Sequence, residues 1–167
     1  MLLKDTSFIH TLPEIVSIHK ETIEPEVPFL DIAARFSNVN GTVLLMSGGN
    51  LDCSRYHILG LHPWMTITSK GKRTSILLKG SPVEFKKSPL SLLNKLIKHL
   101  RCKEYFSELP VNAGLLGYLA YDLKDQIEKL PQTCLGNNLP DIFLTIPKTI
   151  LIFDKKKQET NLLIPCF

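Results

Sequence analysis

The chain has 167 residues, 44% of them hydrophobic and 22% charged. That is the composition of one ordinary globular domain and excludes a disordered segment. A net charge of +4 is spread over scattered lysines (Lys70, Lys72, Lys86, Lys87, Lys155 to Lys157), a solvated-surface pattern that argues against a nucleic-acid face. No apolar run approaches the roughly twenty residues that span a bilayer, and MLLKDTSFIH lacks the apolar core of a signal peptide, so a cytoplasmic protein is expected.

In chain order, Ile15 to Ile18 reads as a first strand, closed by the charged, proline-bearing run Lys20 to Pro28. Pro28 opens Phe29 to Phe36, whose apolar side chains at 29, 32, 33 and 36 have amphipathic-helix spacing. Asn38 to Gly41 is a turn. Thr42 to Met46, a continuous run rich in β-formers, predicts a buried strand. After the polar loop Ser47 to Ser54, strands are expected at Tyr56 to Leu61 and Trp64 to Thr68, with Pro63 marking an irregularity or an edge. Ser69 to Lys72 is a hairpin turn into a strand from Thr74 to Leu78.

Ser88-Pro89 is a helix entry, a cap residue followed by proline, and Leu90, Leu93, Leu96, Ile97 and Leu100 make one apolar face. Leu115 to Tyr121 is a strand and 122–129 a short helix. Ile142 to Ile146, Thr149 to Phe153 and Thr160 to Ile164 are strands, the last entered through the charged turn Asp154 to Gln158. Successive hairpins predict a single α+β domain, mostly antiparallel sheet with a few flanking helices. The last apolar strand either docks into the sheet or marks where a larger protein has been cut, the second being favoured.

Nucleophilic catalysis requires a base within hydrogen-bond reach, oriented by a third group. None of the five histidines stands in a motif beside Ser or Cys, and there is no Gly-x-Ser-x-Gly elbow. Ser47-Gly48-Gly49-Asn50 lacks both the Walker lysine and the three-glycine dinucleotide fingerprint. Cys53, Cys102, Cys134 and Cys166 lie far apart with no Cys-x-x-Cys or zinc-ligand spacing, which suits reduced thiols. Cys53, although beside Arg55, reads as structural rather than as an activated thiol.

Asp31, Asp52, Asp122, Glu128 and Asp141 match no metal loop. Cap and turn roles account for them, Asp122 capping the helix that follows it. The stretch from Ser47 to Tyr56 stands apart. Its glycines let backbone approach a ligand closely, and Arg55 offers a planar fork suited to a carboxylate. The loop suits a small anionic or zwitterionic ligand. It equally suits a plain hydrogen-bonded loop in which Arg55 pairs with Asp52 or Asp122.

Several segments, in order, carry a resemblance. Leu44-Leu45-Met46-Ser47 resembles a Leu-Leu-x-Ser strand end, and Ser54-Arg55-Tyr56 the Ser/Gly-Arg-Tyr segment that follows it. Gly114 to Leu123 resembles a Gly-x-x-Gly-Tyr-x-x-Tyr-Asp signature, with Glu128-Lys129-Leu130-Pro131 and Leu139-Pro140-Asp141-Ile142 behind it. Together, over Pro28 to Leu163, they resemble the amino-terminal half of component I of the anthranilate synthase and aminodeoxychorismate synthase family. Ser47-Gly48-Gly49-Asn50-Leu51-Asp52 is more similar to the para-aminobenzoate branch.

The resemblance implies part of a β-sandwich and a non-catalytic amino-terminal domain carrying a tryptophan pocket. Ser47 would contact the amino-acid head group, and Cys53, Ser54, Arg55 and Tyr56 would line the adjoining wall. Met46 stands where feedback-inhibited members have Glu. The chorismate site, with its magnesium-binding glutamates, would lie in a downstream catalytic domain. This chain is therefore expected to hold no cofactor and no catalytic residue, and to be inactive alone. Its expected partners are that catalytic domain and, through the full subunit, a glutamine amidotransferase of folate biosynthesis. Separation from the catalytic half should expose apolar surface. The alternatives are a free-standing tryptophan-binding module and an anthranilate synthase fragment.

Overall fold

The computed structural model describes residues 7–49, 51, 53–78, 80–85, 88–128 and 138–167. Its elements are β1 (Ser17–Ile23), α1 (Phe29–Arg35), β2 (Val43–Met46), β3 (Tyr56–Lys70), β4 (Arg73–Leu78), β5 (Ser81–Phe85), α2 (Pro89–His99), β6 (Leu116–Leu119), β7 (Ile142–Asp154) and β8 (Glu159–Cys166), with short 3-10 helices at Ser7–Thr11 and Tyr121–Gln126. All described strand pairings are antiparallel. The order is β1-β8-β7-β3-β4-β5, with β2 added on β3 and β6 on β7.

β3 and β7 are long enough to serve two half-sheets. Tyr56 to Leu61 pairs with Thr149 to Asp154, and β2, β8 and β1 widen that half. Met65 to Ser69 pairs with Ile142 to Ile146, and β4, β5 and β6 widen the other. The halves meet where Pro63 faces Pro147, and the register shifts between Pro63 and Met65. Proline has no N–H for a ladder. Placing both prolines on one rung confines the missing donors to a single irregularity, where His62 takes a positive φ of 53°. Each pair of strands expected on either side of Pro63 and Pro147 is accordingly one continuous strand.

One apolar core draws on both halves. Ile18, Ile150, Ile152 and Leu163 share it with Met65, Ile67, Ile76, Ile142 and Ile146, and Leu92, Leu93 and Leu96 of α2 pack against it. On the opposite face of the first half, α1 lays Phe29 and Ala33 over Leu59, Leu61 and Leu151. Burying a side chain such as Phe29 contributes about 1.5–3 kcal/mol. The α+β, mainly antiparallel expectation holds, with one hydrogen-bonded sheet whose halves share a core. No helix among the described residues is long and apolar enough to cross a membrane.

Other expectations need correction. β1 runs on through Lys20 to Ile23, because at a sheet edge polar side chains can face solvent while Ile18 is buried. β2 forms but is not a buried strand: only Val43 is buried, and Leu44, Leu45 and Met46 are exposed. β5, with Pro82 inside it, went unforeseen. In α2 the buried stripe is Pro89, Leu92, Leu93, Leu96 and Leu100, leaving Ile97 58% exposed. Ser88 makes no side-chain cap bond. Asp122 lies inside the first turn of its 3-10 helix, after Ala120, and caps nothing. β8 docks between β1 and β7. Lys86, Lys87, Cys134 and Lys129-Leu130-Pro131 lie outside the described residues.

Candidate functional site

The pairing of β3 with both β2 and β7 decides what surrounds the Ser47 to Tyr56 loop. Met46 lies opposite His57, and Tyr56 opposite Asp154. The loop therefore sits against the tight turn between β7 and β8. Asp154 is almost fully buried there and accepts a two-pronged bond from Arg55, with Nε 3.0 Å from both carboxylate oxygens and Nη2 2.6 Å from Oδ2. The backbone N–H groups of Lys156 and Lys157 donate to Oδ1 at 2.9 and 3.3 Å. The Arg55 guanidinium also lies 4.8 Å over the Tyr56 ring, a cation–π arrangement, and the Tyr56 hydroxyl donates to the Glu108 carbonyl at 3.3 Å.

A second cation ties the loop down. The Lys155 ammonium is 3.4 Å from the carbonyls of Ser47 and Gly49 and 3.2 Å from Ser54 Oγ. Ser54 Oγ lies 2.7 and 2.9 Å from the Gly48 and Gly49 carbonyls. Ser47, Ser54, Arg55 and Tyr56 are thus brought together, while Cys53 is exposed. Asn50 and Asp52 lie outside the described residues. Among the described residues Arg55 pairs with Asp154 and not with Asp122, because the β3–β7 register carries Asp154 to its side.

The electrostatics follow from these contacts. The Arg55 hydrogen bonds hold the Asp154 carboxyl below the usual carboxylate range, helped by the turn N–H groups and opposed by burial. Arg55 is shifted upward in turn, chiefly by its bond to Asp154. Next along β3, His57 joins a cluster of three rings with Phe29 and Phe153, its centroid 6.1 Å from each and theirs 5.8 Å apart. Its Nδ1 is buried with no hydrogen-bond partner among the described residues. Burial, then the charge of Lys155, lowers its pKa.

Both cations are therefore committed to framing the loop. What the site offers a ligand is the Ser47 hydroxyl, which makes no hydrogen bond among the described residues, and the exposed backbone at Gly48 and Gly49. Asp154 and Lys155 were absent from the sequence-derived set. Their signal was an acidic residue closing an apolar run directly before a basic turn, legible only once strand partners are known. Among the described residues no three His, Cys, Asp or Glu side chains come close enough to share a metal ion.

The Gly-x-x-Gly-Tyr signature has a physical basis in β6. Gly117 has φ 148°, and a Cβ there would sit 2.0 Å from the Phe143 carbonyl oxygen. Only glycine lets β6 lie this close to β7. Tyr118 then stacks on Phe143 at 6.0 Å.

No protein-family model matches the chain. It is 29% identical over 133 residues to aminodeoxychorismate synthase component 1 of Escherichia coli, an alignment covering 78% of this chain and 29% of that protein. It is 24% identical over 160 residues to anthranilate synthase component 1 of Bacillus pumilus, covering 95% and 30%. With anthranilate synthase component 1 of Cereibacter sphaeroides the identity is 30% over 132 residues, covering 73% and 25%. Among solved structures, anthranilate synthase component I from Streptococcus pneumoniae matches with TM-score 0.46 and 23% identity, over 83% of this chain and 29% of that one. The chain thus spans 30% or less of the length of each of these relatives. By these matches, the chain belongs to the component I family of aminodeoxychorismate and anthranilate synthases.

Proposed function

We propose that this chain is a non-catalytic, amino-terminal domain of a component I protein serving aminodeoxychorismate synthesis, with a partial pocket for the head group of a free amino acid of the tryptophan type. The unpartnered Ser47 hydroxyl carries this reading. It stands at the end of β2 on a loop already held by Lys155, Ser54 and the Arg55–Asp154 pair. A zwitterion can take the Ser47 hydroxyl and the exposed glycine backbone without displacing any of those bonds. The para-aminobenzoate branch is supported by the Ser-Gly-Gly-Asn-Leu-Asp loop and by the match to the Escherichia coli aminodeoxychorismate synthase component. Chorismate amination and docking to a glutamine amidotransferase would then belong to the complete component, with a catalytic domain as this chain's direct partner.

Calorimetric titration of the chain with L-tryptophan tests the pocket. Saturable binding is expected, at least tenfold weaker in Ser47→Ala (about 1.4 kcal/mol) with an unchanged thermal midpoint. No heat with tryptophan, or equal binding by Ser47→Ala, removes the pocket. The domain assignment is tested separately by the mass of the native polypeptide in its source cells. A species much larger than 167 residues supports it, and a species of this size alone favours a free-standing binding module.

A further inference from the structure

The sheet's outward edges are not protected alike. The Ile18 N–H of β1 donates to the Glu104 carboxylate, and Lys20 is ion-paired with Glu108. β5 carries Pro82 and Glu84. Charge, proline and covering side chains are the usual means by which an edge is kept from pairing. β2 has none of them among the described residues. Among the described residues it pairs only with β3. Its Leu44, Leu45 and Met46 are 38, 37 and 53% exposed, and since side chains alternate along a strand, apolar groups stand exposed on both of its faces. β6, which touches β2, adds Tyr118 and Leu119, 41 and 55% exposed.

We propose that this edge is a pairing surface for a second copy of the chain, β2 lying antiparallel to its counterpart across a two-fold axis. A strand edge is self-complementary under such an axis, because its outward N–H and C=O groups meet the same groups of the other copy. The five side chains offer on the order of 500 Å² per protomer, so a pair would cover about 1,000 Å². That reaches the lower bound for a specific interface and falls well short of an obligate one. The product is a reversible dimer. This proposal rests on the sheet edge alone, not on the pocket or the biosynthetic branch.

Sedimentation velocity on the full chain from about 1 to about 200 µM, with amide hydrogen exchange at both limits, tests it. The expected result is a monomer–dimer equilibrium with slower exchange of the β2 amides at high concentration. Leu45→Lys and Met46→Lys should each weaken association at least tenfold while the dilute thermal midpoint is kept. Leu77→Lys, on β4 away from this edge, should leave association unchanged. A monomer at all concentrations overturns the proposal and leaves the edge to another domain. Association that survives both β2 variants, or that leaves β2 exchange unchanged, also overturns it.

Discussion

The central β3–β7 ladder has a buried aspartate at each end, and the two ends are built differently. Near the β3–β4 turn, Asp141 takes the Lys70 ammonium at 2.8 Å and the Gly71 N–H at 2.7 Å, with Lys70 half exposed. At the other end Asp154 takes both prongs of Arg55 and the turn N–H groups of Lys156 and Lys157. A planar guanidinium fixed by two parallel bonds is a more rigid anchor than a flexible ammonium in contact with water. The stiffer end frames the candidate pocket. There the charges hold a loop in place and leave uncommitted the neutral Ser47 hydroxyl on which the proposed pocket rests.

The largest effect is expected from the Asp141 end, through β6. Gly117→Ala drives a Cβ into the Phe143 carbonyl and should destabilise the chain by about 3 kcal/mol or more. Denaturant unfolding measures this, and a loss below about 1 kcal/mol would mean that β6 does not lie this close to β7. Next come the anchors themselves. Asp154→Ala strands the turn N–H groups and the Arg55 prongs and should cost about 2–4 kcal/mol. Asp141→Ala should cost about 1–2 kcal/mol. Equal losses in the two variants would erase the proposed difference between the ends.

pH dependence gives a finer separation. Asp154 ionises more readily folded than unfolded. Its stabilisation is fully present above the ordinary Asp range near pH 4 and is lost as pH falls through its lower folded value. Asp154→Asn should flatten that acid limb. His57 is also depressed: below about pH 6.5 the unfolded chain takes up a proton that the folded chain resists, so stability declines as pH falls there too. In His57→Phe this upper limb should vanish while the acid limb stays. Smallest of all, Lys155→Gln should alter stability by about 1 kcal/mol or less. It should nevertheless loosen the loop, read as faster amide exchange at Gly48 and Gly49.

Much of the framework was legible in the residues. The spacing of Phe29, Ile32, Ala33 and Phe36 gave α1, and the turn at Ser69 to Lys72 gave the β3–β4 hairpin. The family followed from ordered motifs around Ser47, Arg55, Gly117 and Asp141. Burial at edges was not legible. Leu44-Leu45-Met46 has the composition of a buried strand, yet lies exposed because nothing in the described structure covers β2's outer edge. The partner of Arg55 was equally hidden. Asp154 is 99 positions away, and local spacing could nominate only Asp52 or Asp122.

By itself, then, the sequence determined the class of fold, the approximate places of most strands and both helices, and the loop on which the proposed site rests. Hydrophobic periodicity and turn chemistry act between near neighbours, so a linear reading reaches them. Tertiary structure alone decided that Pro63 and Pro147 share one rung, that Asp154 is the partner of Arg55 while Lys155 ties down the loop, and that no described strand covers the outer edge of β2. Each of these depends on strand register, and register couples residues about a hundred positions apart with no local signal in the chain.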